Sequence, residues 1–139
     1  MSLRLATPED TRAWGRSLAA RLKSGDVVGL CGDLGAGKTL AVTGILEGLG
    51  GGAVTSPTFS LVQEHTGGRL PVWHFDFYRC ESAAEILRIG WDEYLDEPGV
   101  VVVEWADRFP ELFPVGTRWF RLKHEADGSR SVAEEGGAA

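Results

Sequence analysis

Residues Gly32-Asp33-Leu34-Gly35-Ala36-Gly37-Lys38-Thr39 form a complete G-x-x-x-x-G-K-[ST] run. Glycines at these positions let a backbone loop fold tightly, so that several N–H groups converge on one anion. A helix beginning at the end of the loop adds its positive end at the same point. A lysine and a hydroxyl at the last two positions suit the β- and γ-phosphates and Mg²⁺, respectively. The flanks supply the required context. Val27-Val28-Gly29-Leu30-Cys31 reads as a buried parallel strand. Leu40, Val42, Ile45, Leu46 and Leu49 follow at mostly helical spacing, and Gly50-Gly51-Gly52 stops the helix. Asp33 is an odd neighbour for a polyanion. Because such loops bind through backbone N–H groups, its side chain is expected to point away.

The rest of the chain reads as one domain over residues 1–135, with a frayed tail over 136–139. Ser2–Ala6 suits an edge strand. Thr7-Pro8-Glu9-Asp10 opens a helix, with Thr7 as N-cap and Pro8 in the first turn. Trp14, Leu18 and Leu22 continue that helix to Gly25, with Trp14 in the core. Ser60–His65 and Leu70–Tyr78 read as strands joined by a hairpin at Thr66-Gly67-Gly68-Arg69. Glu81–Ile89 and Trp91–Leu95 read as helical. Pro98-Gly99 then breaks the chain before Val100–Val103, four valines that suit a strand buried on both faces. Asp107–Phe113 reads as one short helix. Arg118–His124 and Arg130–Ala133 read as strands around an Asp127-Gly128 turn.

Charge narrows the partners. The net charge is −6 and there is no Lys/Arg block, which argues against autonomous tight binding to nucleic acid. Any RNA is expected to be held by a partner. No apolar run reaches membrane-spanning length and no secretory signal is visible, so a cytoplasmic location is expected. Cys31 and Cys80 lack paired Cys-x-x-Cys spacing and suit buried packing better than a disulfide or metal site.

Two carboxylates stand where a metal-nucleotide site needs them. Glu104 follows the valine run and so emerges at the carboxyl edge of the sheet, where ligands bind in open α/β folds. The alternative is a solvated strand-end residue. Asp76, within His74-Phe75-Asp76-Phe77-Tyr78-Arg79, shares a strand face with His74 and Tyr78. It is either a catalytic carboxylate or a structural partner of Arg79 or His74. His74 reads as a hydrogen-bonded structural residue. Trp105 packs beside the site or in the core. Thr55-Ser56-Pro57-Thr58-Phe59 is either a γ-phosphate-sensing loop or a polar turn.

Taken together, Gly32–Thr39, Ser56-Pro57-Thr58-Phe59, His74–Arg79 and Val103-Glu104-Trp105 resemble the TsaE family, also called YjeE. These are the bacterial ATPases needed for threonylcarbamoyladenosine at position 37 of tRNA. The resemblance covers nearly the whole chain. It implies an α/β P-loop three-layer sandwich whose central parallel sheet is extended by antiparallel strands. It implies ATP and Mg²⁺ as cofactors, and association with TsaD and TsaB, which carry out and scaffold the threonylcarbamoyl transfer. tRNA is met only through that complex, which ATP hydrolysis resets between turnovers. Residue by residue, it implies nucleotide contacts at Thr7, Asp33, Leu34, Gly35, Ala36, Gly37, Lys38, Thr39, Leu40 and Thr58. Metal contacts fall to Thr39 and Glu104, and catalytic roles to Lys38, Asp76 and Glu104. Leu40 departs from the second threonine common in the family, and leaves Thr39 intact. Gly90–Tyr94 is assigned to structure or partner contact.

Two rival functions share the phosphate loop. One is a small-molecule kinase, for which no arginine-rich lid is visible. The other is an assembly protein gated by nucleotide binding alone. A GTPase is disfavoured because no Asn-Lys-x-Asp segment occurs.

Overall fold

Alternation along the central strands decides the layering. The computed structural model describes residues 2–33, 35–51 and 61–135. Its strands are β1 (Ser2–Leu5), β2 (Val27–Cys31), β3 (Val62–His65), β4 (Val72–Asp76), β5 (Val100–Glu104), β6 (Arg118–His124) and β7 (Arg130–Glu135). The helices are α1 (Pro8–Ala19), α2 (Lys38–Gly48), α3 (Ala83–Arg88) and α4 (Trp91–Asp96). Every residue of β2 and β5 is buried, as strands covered on both faces require. Val28, Leu30, Val100 and Val102 join the core beneath α1 and α2. Val27, Cys31, Val101 and Val103 join the opposite core, with Ile86 of α3 and Trp91 of α4. The result is helix, sheet, helix in three layers.

The sheet runs β1-β7-β6-β2-β5-β4-β3. β6, β2, β5 and β4 are mutually parallel, while β7, β1 and β3 join antiparallel. After β2 the chain crosses to the β4–β5 side, then returns past β2 to β6. That reversal places a topological switch point at the carboxyl end of β2, the usual ligand crevice of such sheets.

Helix α1 starts as its sequence dictates. Thr7 and Asp10 form a reciprocal capping box around Pro8. It ends at Ala19 rather than continuing to Gly25. Arg69 donates to the carbonyls of Ala19 at 3.0 Å and Leu22 at 3.2 Å, satisfying oxygens that a longer helix would have paired internally. Helices α1 and α2 then pack backbone to backbone. A Cβ on Gly44 would lie 2.1 Å from the Arg12 carbonyl oxygen, and one on Gly15 would lie 2.4 Å from that of Ala41. Glycine is the side-chain-free residue that permits this approach.

Two other elements are shorter than the sequence pattern predicts. β4 stops at Asp76, where the Asp76 side chain accepts from the Tyr78 N–H at 3.0 Å and turns the chain out of the ladder. Asp107–Phe113 is not one helix. It is two 3₁₀ turns, Ala106–Arg108 and Pro110–Leu112, separated at Phe109, which precedes Pro110 and leaves the helical region at φ −139°, ψ 65°. Cys31 and Cys80 are buried free thiols. The 136–139 tail lies outside the described residues.

Candidate functional site

The loop after β2 bends on three left-handed glycines, Gly32 (φ 138°), Gly35 (φ 80°) and Gly37 (φ 101°). Gly32 is also pinned by space. A Cβ there would lie 2.2 Å from the Leu122 carbonyl oxygen on β6. Gly37 caps α2 without a side-chain hydrogen bond, so the cap itself leaves the first-turn N–H groups of α2 free for another acceptor. Ala36 is fully buried, which fixes the loop to the core and leaves only its backbone to act. Asp33 is exposed, in keeping with a side chain turned outward.

Lys38 begins α2 and is 4% exposed. Its Nζ donates to the Gly32 carbonyl at 2.6 Å and the Asp33 carbonyl at 2.8 Å. The same ammonium lies 4.1 Å from the centroid of the Trp105 ring. Burial lowers the Lys38 pKa, opposed first by the charge of Glu104 and then by Asp107, Asp33 and Asp76. Among the described residues the ammonium donates to neutral carbonyls, so an anion that replaced them would be favoured.

Glu104 ends β5 and is buried at 4% exposure, so it is not a solvated strand-end residue. Thr39 Oγ1 donates to Glu104 Oε1 at 2.8 Å. His74 Nε2 lies 2.6 Å from Glu104 Oε2. Asp76 stands opposite Glu104 in the β4–β5 register. Burial raises its carboxyl pKa, opposed by the Tyr78 N–H. Among the described residues the Asp76 side chain bonds neither Arg79 nor His74; it accepts from the Tyr78 N–H.

These groups line a cleft of about 310 Å³ formed by Gly35, Gly37, Lys38, Thr39, Leu40, Asp76, Tyr78, Glu104, Trp105 and Arg130. Trp105 takes the left-handed conformation at φ 59°, the one described non-glycine residue with positive φ. That turn aims its ring into the cleft, 4.8 Å from the Tyr78 ring. Leu34 and Thr58, with the whole Thr55–Phe59 loop, lie outside the described residues. Thr7 does not line the cleft; its hydroxyl accepts from the Asp10 N–H in the α1 cap.

Two residues of the site went unread in the sequence. Arg130, at the start of β7, donates from Nε to the Gly35 carbonyl at 3.1 Å. Its only local signal is a charge following a hairpin turn. Thr11 is fully buried, and its hydroxyl has no hydrogen-bond partner among the described residues. Its methyl lies 3.4 Å from where a Gly37 Cβ would sit. Neither placement has a sequence signature, since each depends on distant segments meeting.

Known proteins resemble this chain along most of its length. Residues 5–132 match the family model described as threonylcarbamoyl adenosine biosynthesis protein TsaE. A Bacillus subtilis protein described as tRNA threonylcarbamoyladenosine biosynthesis protein TsaE is 43% identical over 130 residues, 93% of this chain and 81% of the relative. A Treponema pallidum protein of the same description is 40% identical over 125 residues, covering 89% of this chain and 92% of the relative. The crystal structure of Bacillus subtilis YdiB matches with a TM-score of 0.83 at 36% identity, covering 99% of this chain and 86% of that one. A glycine loop at a switch point, a carboxylate bonded to its closing threonine and homology along nearly the full length place this chain in the TsaE family of tRNA threonylcarbamoyladenosine biosynthesis proteins.

Proposed function

We propose that this chain is a Mg²⁺-dependent ATPase that lets a TsaD–TsaB complex turn over repeatedly in tRNA threonylcarbamoyladenosine formation, and that it acts in the cytoplasm. The observation that carries the reading is the 2.8 Å bond between Thr39 and Glu104 beside the glycine loop. A hydroxyl and a carboxylate are hard oxygen donors, and a pair of them suits Mg²⁺, which keeps its other positions for water and substrate phosphates. When bound, the ion would neutralise charge on the transferring phosphoryl group.

The chain's own residues do the rest. Backbone N–H groups over Asp33–Leu40 grip the phosphates. Lys38 exchanges the Gly32 and Asp33 carbonyls for phosphate oxygens. Asp76, opposite Glu104 in register, orients the attacking water. Family resemblance assigns further nucleotide contacts to Thr58 and to Thr7, the latter from the α1 cap outside the residues that line the cleft. The pathway is supported by the names of the relatives, the TsaD and TsaB partners come from the family resemblance alone, and the net charge of −6 leaves tRNA to be held by the complex. Among the described residues no helix is long and apolar enough to cross a membrane.

Reconstituted tRNA modification by TsaD and TsaB, with and without this chain, tests the role. Many modified tRNAs per complex are expected with it and about one without. Phosphate release with no added acceptor, abolished by Lys38→Ala, tests the activity and separates an ATPase from a kinase. Absence of phosphate release, or turnover numbers indifferent to the chain, overturns the reading.

A further inference from the structure

Glu104 is gripped at both oxygens, and only one grip comes from the phosphate-loop helix. Oε1 faces Thr39 on α2, while Oε2 meets His74 Nε2 on β4 at 2.6 Å. His74 is fully buried. It pairs with Val102 across the β4–β5 ladder, two positions before Glu104. Side chains two apart on a strand share a face, so the imidazole lies one step inside the sheet, directly behind the carboxylate.

The other ring nitrogen identifies the tautomer. His74 Nδ1 is buried and has no partner among the described residues. A buried N–H left unpaired costs more than a bare lone pair beside apolar neighbours. The hydrogen therefore sits on Nε2 and is donated to Glu104. The nearest ring, His65, is 6.3 Å away between centroids, too far for a hydrogen bond. All of the described hydrogen bonding of the imidazole is thus spent on one carboxylate oxygen.

We propose that His74 is the positioning residue for the metal-binding carboxylate. By holding Oε2, it fixes the plane of Glu104 and leaves Oε1 converging with the Thr39 hydroxyl on one cation. This inference rests on the Mg²⁺-dependent nucleotide reading above. It assigns His74 a role that acts on metal affinity and not on the nucleotide itself.

The test separates these two affinities. Binding of a fluorescent ADP analogue is titrated for the wild type, His74→Gln, His74→Asn and His74→Leu, once in EDTA and once against Mg²⁺. Glutamine carries its N–H about as far out as Nε2, while asparagine falls short and leucine has no donor. In EDTA all four proteins should bind within about 2-fold of one another. The Mg²⁺ half-saturation point should rise by about 10- to 100-fold in the asparagine and leucine variants and stay near wild type in the glutamine variant. Thermal melts choose which of the asparagine and leucine variants, being folded, carries the comparison. If that variant loses affinity equally in EDTA and Mg²⁺, or keeps the wild-type Mg²⁺ dependence, the proposal fails. A wild type that shows no Mg²⁺-linked binding overturns the underlying reading as well, and that arm tells the two failures apart.

Discussion

Thr39 on α2 and Glu104 on β5, 65 positions apart, share a hydrogen bond of 2.8 Å at the carboxyl edge of the sheet. The bond joins the end of the glycine loop to the strand beside it. Thr39→Ser keeps the hydroxyl and should keep activity. Thr39→Val and Glu104→Gln should each lower Mg²⁺-dependent phosphate release by about 100-fold, equivalent to about 2.7 kcal/mol. The double variant should lose little more than either single one, because both are proposed to act on one metal. Additive losses in a turnover assay would show that the two side chains work separately.

Trp105 reports on Lys38. Its ring lies 4.1 Å from the ammonium, in a backbone conformation that tryptophan seldom adopts. Nucleotide that draws Lys38 onto its phosphates must weaken that contact. Tryptophan emission should therefore change on adding ATP, and the change should vanish in Trp105→Phe and in Lys38→Met. An equal response in all three proteins would assign the signal to another of the five tryptophans.

Gly44→Ala probes packing without touching the cleft. The added methyl meets the Arg12 carbonyl oxygen at 2.1 Å and must push α1 from α2. A loss of about 1–3 kcal/mol is expected, read from urea unfolding. Gly32→Ala adds strain at φ 138° and a 2.2 Å clash with the Leu122 carbonyl oxygen, so it should destabilise at least as much and also weaken nucleotide binding. An unchanged unfolding midpoint in Gly44→Ala would contradict the close helix approach.

The buried thiols set an alkaline limit. Burial pushes Cys31 up to about 12 and Cys80 up to about 11, from the usual 9.0. Between those values the folded chain holds protons that the unfolded chain has released. Stability from this source is complete below pH 9 and falls as the pH rises through the folded values. Cys31→Ala with Cys80→Ala should flatten that fall in thermal melts between pH 9 and 11. Native protein at pH 8 should also resist a thiol reagent until denaturant is added.

The sequence by itself determined what is local. Gly32–Thr39 announced a tight glycine turn between β2 and α2 because positive φ is a freedom the glycines carry themselves. Thr7, Pro8 and Asp10 announced the start of α1 because capping acts within one turn. Val100–Val103 announced a doubly covered strand because burial on both faces removes alternation. Element lengths were less legible, since the carbonyls at the end of α1 are partnered by Arg69 from 50 residues away. Tertiary structure alone decided which side chains converge. His74 meets Glu104 through strand register, Arg130 reaches Gly35 across 95 positions, and Gly44 admits the α1 backbone. A hydrogen bond forms only within about 3 Å. That distance is set by the crossing of helices and the pairing of strands, quantities that no short run of residues carries.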